Sequence, residues 1–139
     1  MPFLFDTDAV SEVLKRRPAL DYLKWIGQIP RVDQFISAVT AGELYKGAFR
    51  SPEHERHLRA IDERILPTVT VLPYDLGVAR VFGQIQANLS LRGKTVADAD
   101  LQIAATAIHH GLELVTGNLR HFERIPGIRL NRILGNARR

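Results

Sequence analysis

The chain has 139 residues, no cysteine and a net charge of +4. That length suits a single domain with its own core, and the missing thiols exclude disulfides and thiolate metal sites. No apolar run approaches the roughly 20 residues that span a bilayer, and no basic, apolar and small-residue leader opens the chain. The expectation is a protein of the cytoplasm, and the basic balance leans toward a polyanion such as nucleic acid.

Taken in chain order, Pro2 to Asp6 reads as a short strand, followed by a helix through Ser11 to Lys15. Pro18 can open a second helix with Leu20, Leu23, Trp25 and Ile26 on its apolar side. QFISAV, residues 34–39, reads as a buried strand. Thr40 and Glu43 then have capping-box spacing, which opens a helix to about Arg50. Ser51-Pro52-Glu53 starts another helix, ended by Pro67. VTVL, residues 69–72, is a strand stopped by Pro73. From Asp75 a long amphipathic helix runs through Val78, Val81, Phe82, Ile85 and Leu89 toward Gly93. Asp98 is read as the cap of the next helix, whose LQIAATAI is almost wholly apolar and so deeply buried. Gly111 ends it, ELVT (113–116) is a strand, and GIRL (127–130) is an edge strand.

Strands alternating with helices predict an α/β fold, a parallel sheet covered on both faces, with ligands gathering at the carboxyl ends of the strands. Acids fall at or near those ends. Asp6 closes FLF, Glu43 follows FISAV, and Asp98 and Asp100 open the helix LQIAATAI, while Asn118 follows ELVT. Converging carboxylates repel one another, and a hard divalent cation such as Mg²⁺ or Mn²⁺ relieves that repulsion. Such an ion can activate a water against a phosphodiester. Each acid also has a structural reading. Glu43 can complete the capping box, and Asp98 can cap its helix. Asp8 suits the free N–H groups and positive dipole of a helix start. Helix positions two apart point about 200° from each other, so Asp98 and Asp100 do not share one ligand set.

Three stretches carry a family resemblance. FLFDTDAVSE resembles the opening motif of the PIN-domain family, specifically its VapC-type toxins and their FitB-like branch. ISAVTAGELYKGA resembles the second motif, and DADLQIAATAIHHGLELVTGNLRHF the third and fourth. The resemblance covers nearly the whole chain, with a PIN domain over 1–133 and a flexible basic tail over 134–139. It implies a three-layer α/β/α fold with a central, mainly parallel sheet of four to five strands. Position by position, Asp6, Glu43 and Asp100 match the family's metal-binding acids, and Asn118 falls where many members carry a fourth acid or an Asn. Thr7, Thr40 and Thr116 match supporting hydroxyls, and Asp98 stands behind Asp100. Two departures are visible: Asp8 replaces an Asn or Ser, and His121 stands where some members place an acid.

The resemblance further implies a Mg²⁺- or Mn²⁺-dependent endoribonuclease in a prokaryotic cytoplasm. Its expected partners are a VapB-like antitoxin, an RNA substrate, operator DNA through the antitoxin complex, and a second copy in a homodimer. The alternative is a FitB-like partner of a DNA-binding antitoxin with weak or no cleavage. Arg92, Lys94 and Arg120 are candidate contacts to substrate. Arg16-Arg17 and Lys46 are further ones, as charges flanking the first two motifs. The run His54-Glu55-Arg56-His57 is too short for a zinc motif and reads as a solvent-facing helix start.

Overall fold

The computed structural model describes residues 2–138, and the expectations that touch Met1 and Arg139 lie outside them. Strand β1 (Phe3–Phe5) leads directly into α1 (Thr7–Leu14), followed by α2 (Leu20–Ile26). A single 3₁₀ turn precedes β2 (Gln34–Ser37), which runs without a loop into α3 (Ala38–Arg50). Helix α4 (His54–Ala60) continues through a π turn at Ile61–Ile65 and a 3₁₀ turn to β3 (Thr70–Leu72). Then come α5 (Leu76–Leu91), α6 (Asp98–His110), β4 (Glu113–Val115), α7 (Leu119–Phe122), β5 (Leu130–Asn131) and α8 (Ile133–Ala137).

All four pairings are parallel, in the order β3-β2-β1-β4-β5. Alternation along the strands separates two cores, because successive side chains point to opposite faces. Leu4 and Leu114 pack with α5 and α6 residues such as Val78, Leu89 and Ile103. Phe5, Ile36 and Val115 pack on the other face with Ala9, Val10, Tyr22, Leu44, Ile61 and Leu134. This is the expected three-layer α/β/α arrangement. The chain builds β2 and β3 to one side of β1 and β4 and β5 to the other. The connections therefore diverge beside β1, which opens a crevice at its carboxyl end.

Several boundaries differ from the sequence expectation, each for a local reason. Strand β2 stops at Ser37, not Val39, because the Ser37 hydroxyl takes the Thr40 N–H at 2.9 Å and caps α3. Thr40 is thus a fully buried residue of the first turn, and the expected Thr40–Glu43 capping box does not form. Asp98 is likewise no cap: Ala97 occupies that position, and Asp98 is the exposed first residue of α6. Leu20 is 71% exposed, and the buried anchor of α2 is instead Tyr22, which has no exposure at all. Helix α2 begins two residues after Pro18, where Glu12 accepts the Ala19 N–H at 2.9 Å. The edge strand is Leu130–Asn131, paired in register with Leu114 and Val115. Residues 134–138 are not a loose tail, since Leu134 is fully buried and Arg138 is held by two carboxylates.

Tyr22 donates its hydroxyl to the Ala9 carbonyl at 2.8 Å, tying α2 to α1 inside the core. Tyr22→Phe keeps the packing and removes that buried bond. The variant should lose about 1 kcal/mol in urea unfolding, the usual net worth of one such bond.

Candidate active site

The crevice at the carboxyl edge of β1, β2 and β4 is lined by Asp6, Thr7, Asp8, Ser11, Glu43, Asp100, Asn118 and His121. Asp6 is placed by the strand end. As the N-cap of α1 it accepts the Ala9 N–H at 2.8 Å, which fixes its rotamer. It is only 3% exposed. Burial pushes its carboxyl up to about 7, against hydrogen bonds from the Thr116 hydroxyl and the Ala9 N–H; the charges of Asp8 and Asp100 add to the rise. A carboxylate so placed is costly when ionised, unless a cation shares the space.

Glu43 enters from the second turn of α3. The Thr7 hydroxyl donates to Glu43 Oε1, and the Thr40 hydroxyl lies 3.5 Å from that of Thr7. Asp100 enters from the first turn of α6. Burial raises its pKa and Glu43 adds to the rise, while His121 opposes it. His121 Nδ1 stands 3.2 Å from Asp100 Oδ2. The Asn118 backbone N–H donates to Thr116 Oγ1 at 2.9 Å, which turns the β4–α7 connection across the mouth of the crevice. The crevice therefore brings Asp6, Glu43, Asp100 and Asn118 together, with Thr7, Thr40 and Thr116 bonded behind them.

Asp98 is not among them. It is exposed, and its charge acts on Tyr74, whose phenol is raised first by burial and then by Asp98. Arg120 lines an adjoining cleft with Asp100, His121 and Arg124. Arg92 donates to the Arg124 carbonyl, and Lys94 is exposed on the α5–α6 connection. Asp8 does not act as a loose extra charge. Arg138 grips it with two bonds of 2.8 and 3.0 Å, and the Gly117 N–H adds a third at 3.1 Å. A methyl group at Gly117 would meet both the Arg138 guanidinium and the Asp8 carboxylate, so a larger residue there would displace this ion pair.

Two neighbours of the site were not legible as such. His121 falls at a position that some family members give to an acid, but its pairing with Asp100 depends on α7 folding against α6. Arg138 is 130 residues from Asp8, and no local pattern announces that contact.

The donors fit a hard cation. They are carboxylate and amide oxygens, and Asp6 and Asp100 are raised first by burial, with neighbouring acids adding to the rise. Among the described residues, no three acid or histidine side chains form a ready chelate. Glu43 is engaged by Thr7, and Asp100 by His121. Such a set suits an ion that keeps several waters and binds through one or two carboxylates, as Mg²⁺ does.

Comparison with known proteins identifies the family. The sequence matches the PIN domain family over residues 3–128. It is 40% identical to Ribonuclease VapC2 of Haemophilus influenzae over 129 residues, covering 93% of this chain and 96% of that one. It is 38% identical to the tRNA(fMet)-specific endonuclease VapC of Salmonella typhimurium, covering 94% and 96%. The fold superposes on DNA-bound VapBC from Salmonella typhimurium with a TM-score of 0.84, at 36% identity and over 94% and 97% of the two chains. With a family match over nearly the whole chain, relatives at about 40% identity and a shared fold, the chain belongs to the PIN-domain family, among its VapC-type toxins.

Proposed function

We propose that this chain is a VapC-type endoribonuclease that depends on Mg²⁺ or Mn²⁺ and is restrained by a cognate VapB-like antitoxin. The observation that carries the reading is Asp6, a nearly inaccessible carboxylate at the central strand's end whose ionised form needs a cation. The ribonuclease and transfer-RNA endonuclease activities named for the relatives support RNA as substrate, and transfer RNA is the first to test. Asp6, Glu43 and Asp100 would hold the ion, with Asn118 beside them. When bound, it would supply an activated water and offset charge developing on the phosphoryl oxygens.

The chain's own residues provide the positioning. Thr116 and the Ala9 N–H fix Asp6, and Thr7 fixes Glu43. His121 holds Asp100 on the far side. Arg120 lies beside that pair and Lys94 on the nearby α5–α6 connection, where both can meet a phosphate. The antitoxin complex would bind operator DNA, and the chain would pair as a homodimer. No helix among the described residues is long and apolar enough to cross a membrane.

The test is cleavage of transfer RNA by the purified chain, beside a matched DNA, with Mg²⁺, Mn²⁺ or a chelator. RNA should be cut only with metal, and Asp100→Asn should lower the rate about 100-fold or more, the loss seen when one charge-stabilising group is removed. Metal-independent cutting, or undiminished cutting by that variant, would overturn the reading. An inert wild-type chain that still supports operator binding by the antitoxin would favour the FitB-like alternative.

A further inference from the structure

The acid crevice is not isolated. Through Thr7, Ser11 and Glu43 it opens into a depression reaching Lys15 and His57. That depression continues through Leu14, Lys15 and His57 into a cleft of about 730 Å³ between the end of α1 and α4. The ionisable side chains lining this last cleft are Lys15, Arg16, Arg56, His57 and Arg64, with no acid among the described residues there. At the opposite end, the crevice passes through Asp100 and His121 into the cleft carrying Arg120 and Arg124. The surface thus holds a row of adjoining depressions that form a trough, with acids at its middle and cations at both ends.

The cations of the α1–α4 arm are only loosely engaged. Arg56 meets Glu53 at 3.2 Å in a pair more than half exposed on both sides, and Arg64 reaches the Val13 carbonyl at 3.5 Å. Lys15 is the exception, since it is bonded at 2.9 Å to the buried Glu12 and stays with that carboxylate. An exposed pair such as Arg56–Glu53 is worth little, so its exchange for a phosphate costs little. The run around Arg56, which reads from sequence as a plain solvent-facing start of α4, therefore turns one face to the trough. His57 is the half-buried residue that joins the two depressions.

We propose that the α1–α4 cleft is a second phosphate-binding arm, in which Arg16, Arg56 and Arg64 hold the RNA backbone on one side of the scissile bond while Arg120 and Arg124 hold it on the other. The proposal rests on the ribonuclease reading and adds a footprint to it. A strand must enter both arms to lie across the acids, so a short substrate filling one arm is bound weakly. The arm is sequence-blind, because it touches charge and not base edges.

The test uses full-length protein carrying Arg16→Gln, Arg56→Gln and Arg64→Gln together, with Arg59→Gln, exposed on α4 but outside the trough, as control. Circular dichroism first establishes that the variants fold. Binding is read by anisotropy with a labelled mixed-sequence RNA of about 20 nucleotides, in an Asp6→Asn background that prevents cutting. The triple variant should bind about tenfold or more weakly, and its log–log salt slope should shrink by about 0.7 for each phosphate it no longer neutralises. In the cleaving background KM should rise more than kcat falls, and Arg59→Gln should match wild type. Unchanged affinity and salt slope in a triple variant whose parent cuts RNA would overturn the arm and leave the function standing. Unchanged RNA binding with weakened antitoxin binding would reassign the cleft to a protein partner and also overturn it. A parent that neither binds nor cuts RNA would instead overturn the ribonuclease reading, and the arm with it.

Discussion

Asp6→Asn should abolish RNA cleavage and, without divalent metal, make the protein more stable at about pH 8. The two effects have one cause. Asp6 is 3% exposed and titrates near 7, well above the ordinary value of 3.8. Its fold therefore favours the neutral form. The stability this preference contributes is complete below about pH 4, declines as pH rises through 7, and is gone above that. With roughly 3 pKa units at 1.36 kcal/mol each, the buried charge costs on the order of 4 kcal/mol at alkaline pH. Asn removes the charge and can still accept the Ala9 N–H, since Asn and Asp cap about equally well. Chemical unfolding in chelator, at about pH 5 and pH 8, reads the effect. The variant should gain at pH 8 and gain less at pH 5. A loss at both would mean that Asp6 is a structural cap and nothing more.

The same argument makes metal stabilisation pH-dependent. An ion binding the folded state alone raises stability by mass action, and it must displace a proton from Asp6 below about pH 7. The rise in Tm produced by Mn²⁺ should be larger at about pH 8 than at about pH 5.5 for wild type, and near zero at both for Asp6→Asn. Equal shifts in the two proteins would place the ion elsewhere.

How far the sequence revealed this site follows from the range of each signal. Asp6, Glu43 and Asp100 stand where strands hand over to helices, and a parallel sheet brings such handovers to one edge. The local capping was harder to read. Ser37-x-x-Thr40 and Thr40-x-x-Glu43 have the same spacing, and either can start a helix. The choice is tertiary: β3 pairs with β2 only as far as Ser37 and Leu72, so the strand ends there and Ser37 takes the cap. Asp98 failed similarly, since Ala97 adopts the cap backbone and leaves Asp98 in solvent. His121 and Arg138 depend on contacts between distant segments, for which periodicity carries no signal. The most misleading local feature was the basic C-terminus, whose charge suggested a tail while its partners lay at the other end of the chain.

Those partners make Arg138→Gln the second large effect. Arg138 bonds Glu12 at 2.7 and 3.0 Å as well as Asp8, and its own proton is held more firmly, first by Asp8. Glu12 is 2% exposed. Burial would push its carboxyl up, but Lys15, Arg138 and the Ala19 N–H outweigh that and bring it down to about 2. Its contribution to stability is thus complete above about pH 4.5 and is lost as pH falls toward 2. Removing one partner of a buried pair costs about 3–5 kcal/mol; with Arg138 partly open to solvent, about 2 kcal/mol is expected here. The acid-unfolding midpoint should move to higher pH, because a weaker grip on Glu12 fails sooner. Glu12→Gln supplies the control: it should lower stability at neutral pH and flatten the acid limb, and adding Arg138→Gln to it should cost less than Arg138→Gln alone. The Asp8 half of the contact has its own signature. Arg138→Gln leaves Asp8 without its counter-ion beside Asp6, so the Asp6 titration should move up from about 7, and the alkaline loss of stability should extend to higher pH. If both limbs of the pH–stability curve stay where they are in wild type, Arg138 is an ornament of the surface, and the chain's two ends are not joined through the site.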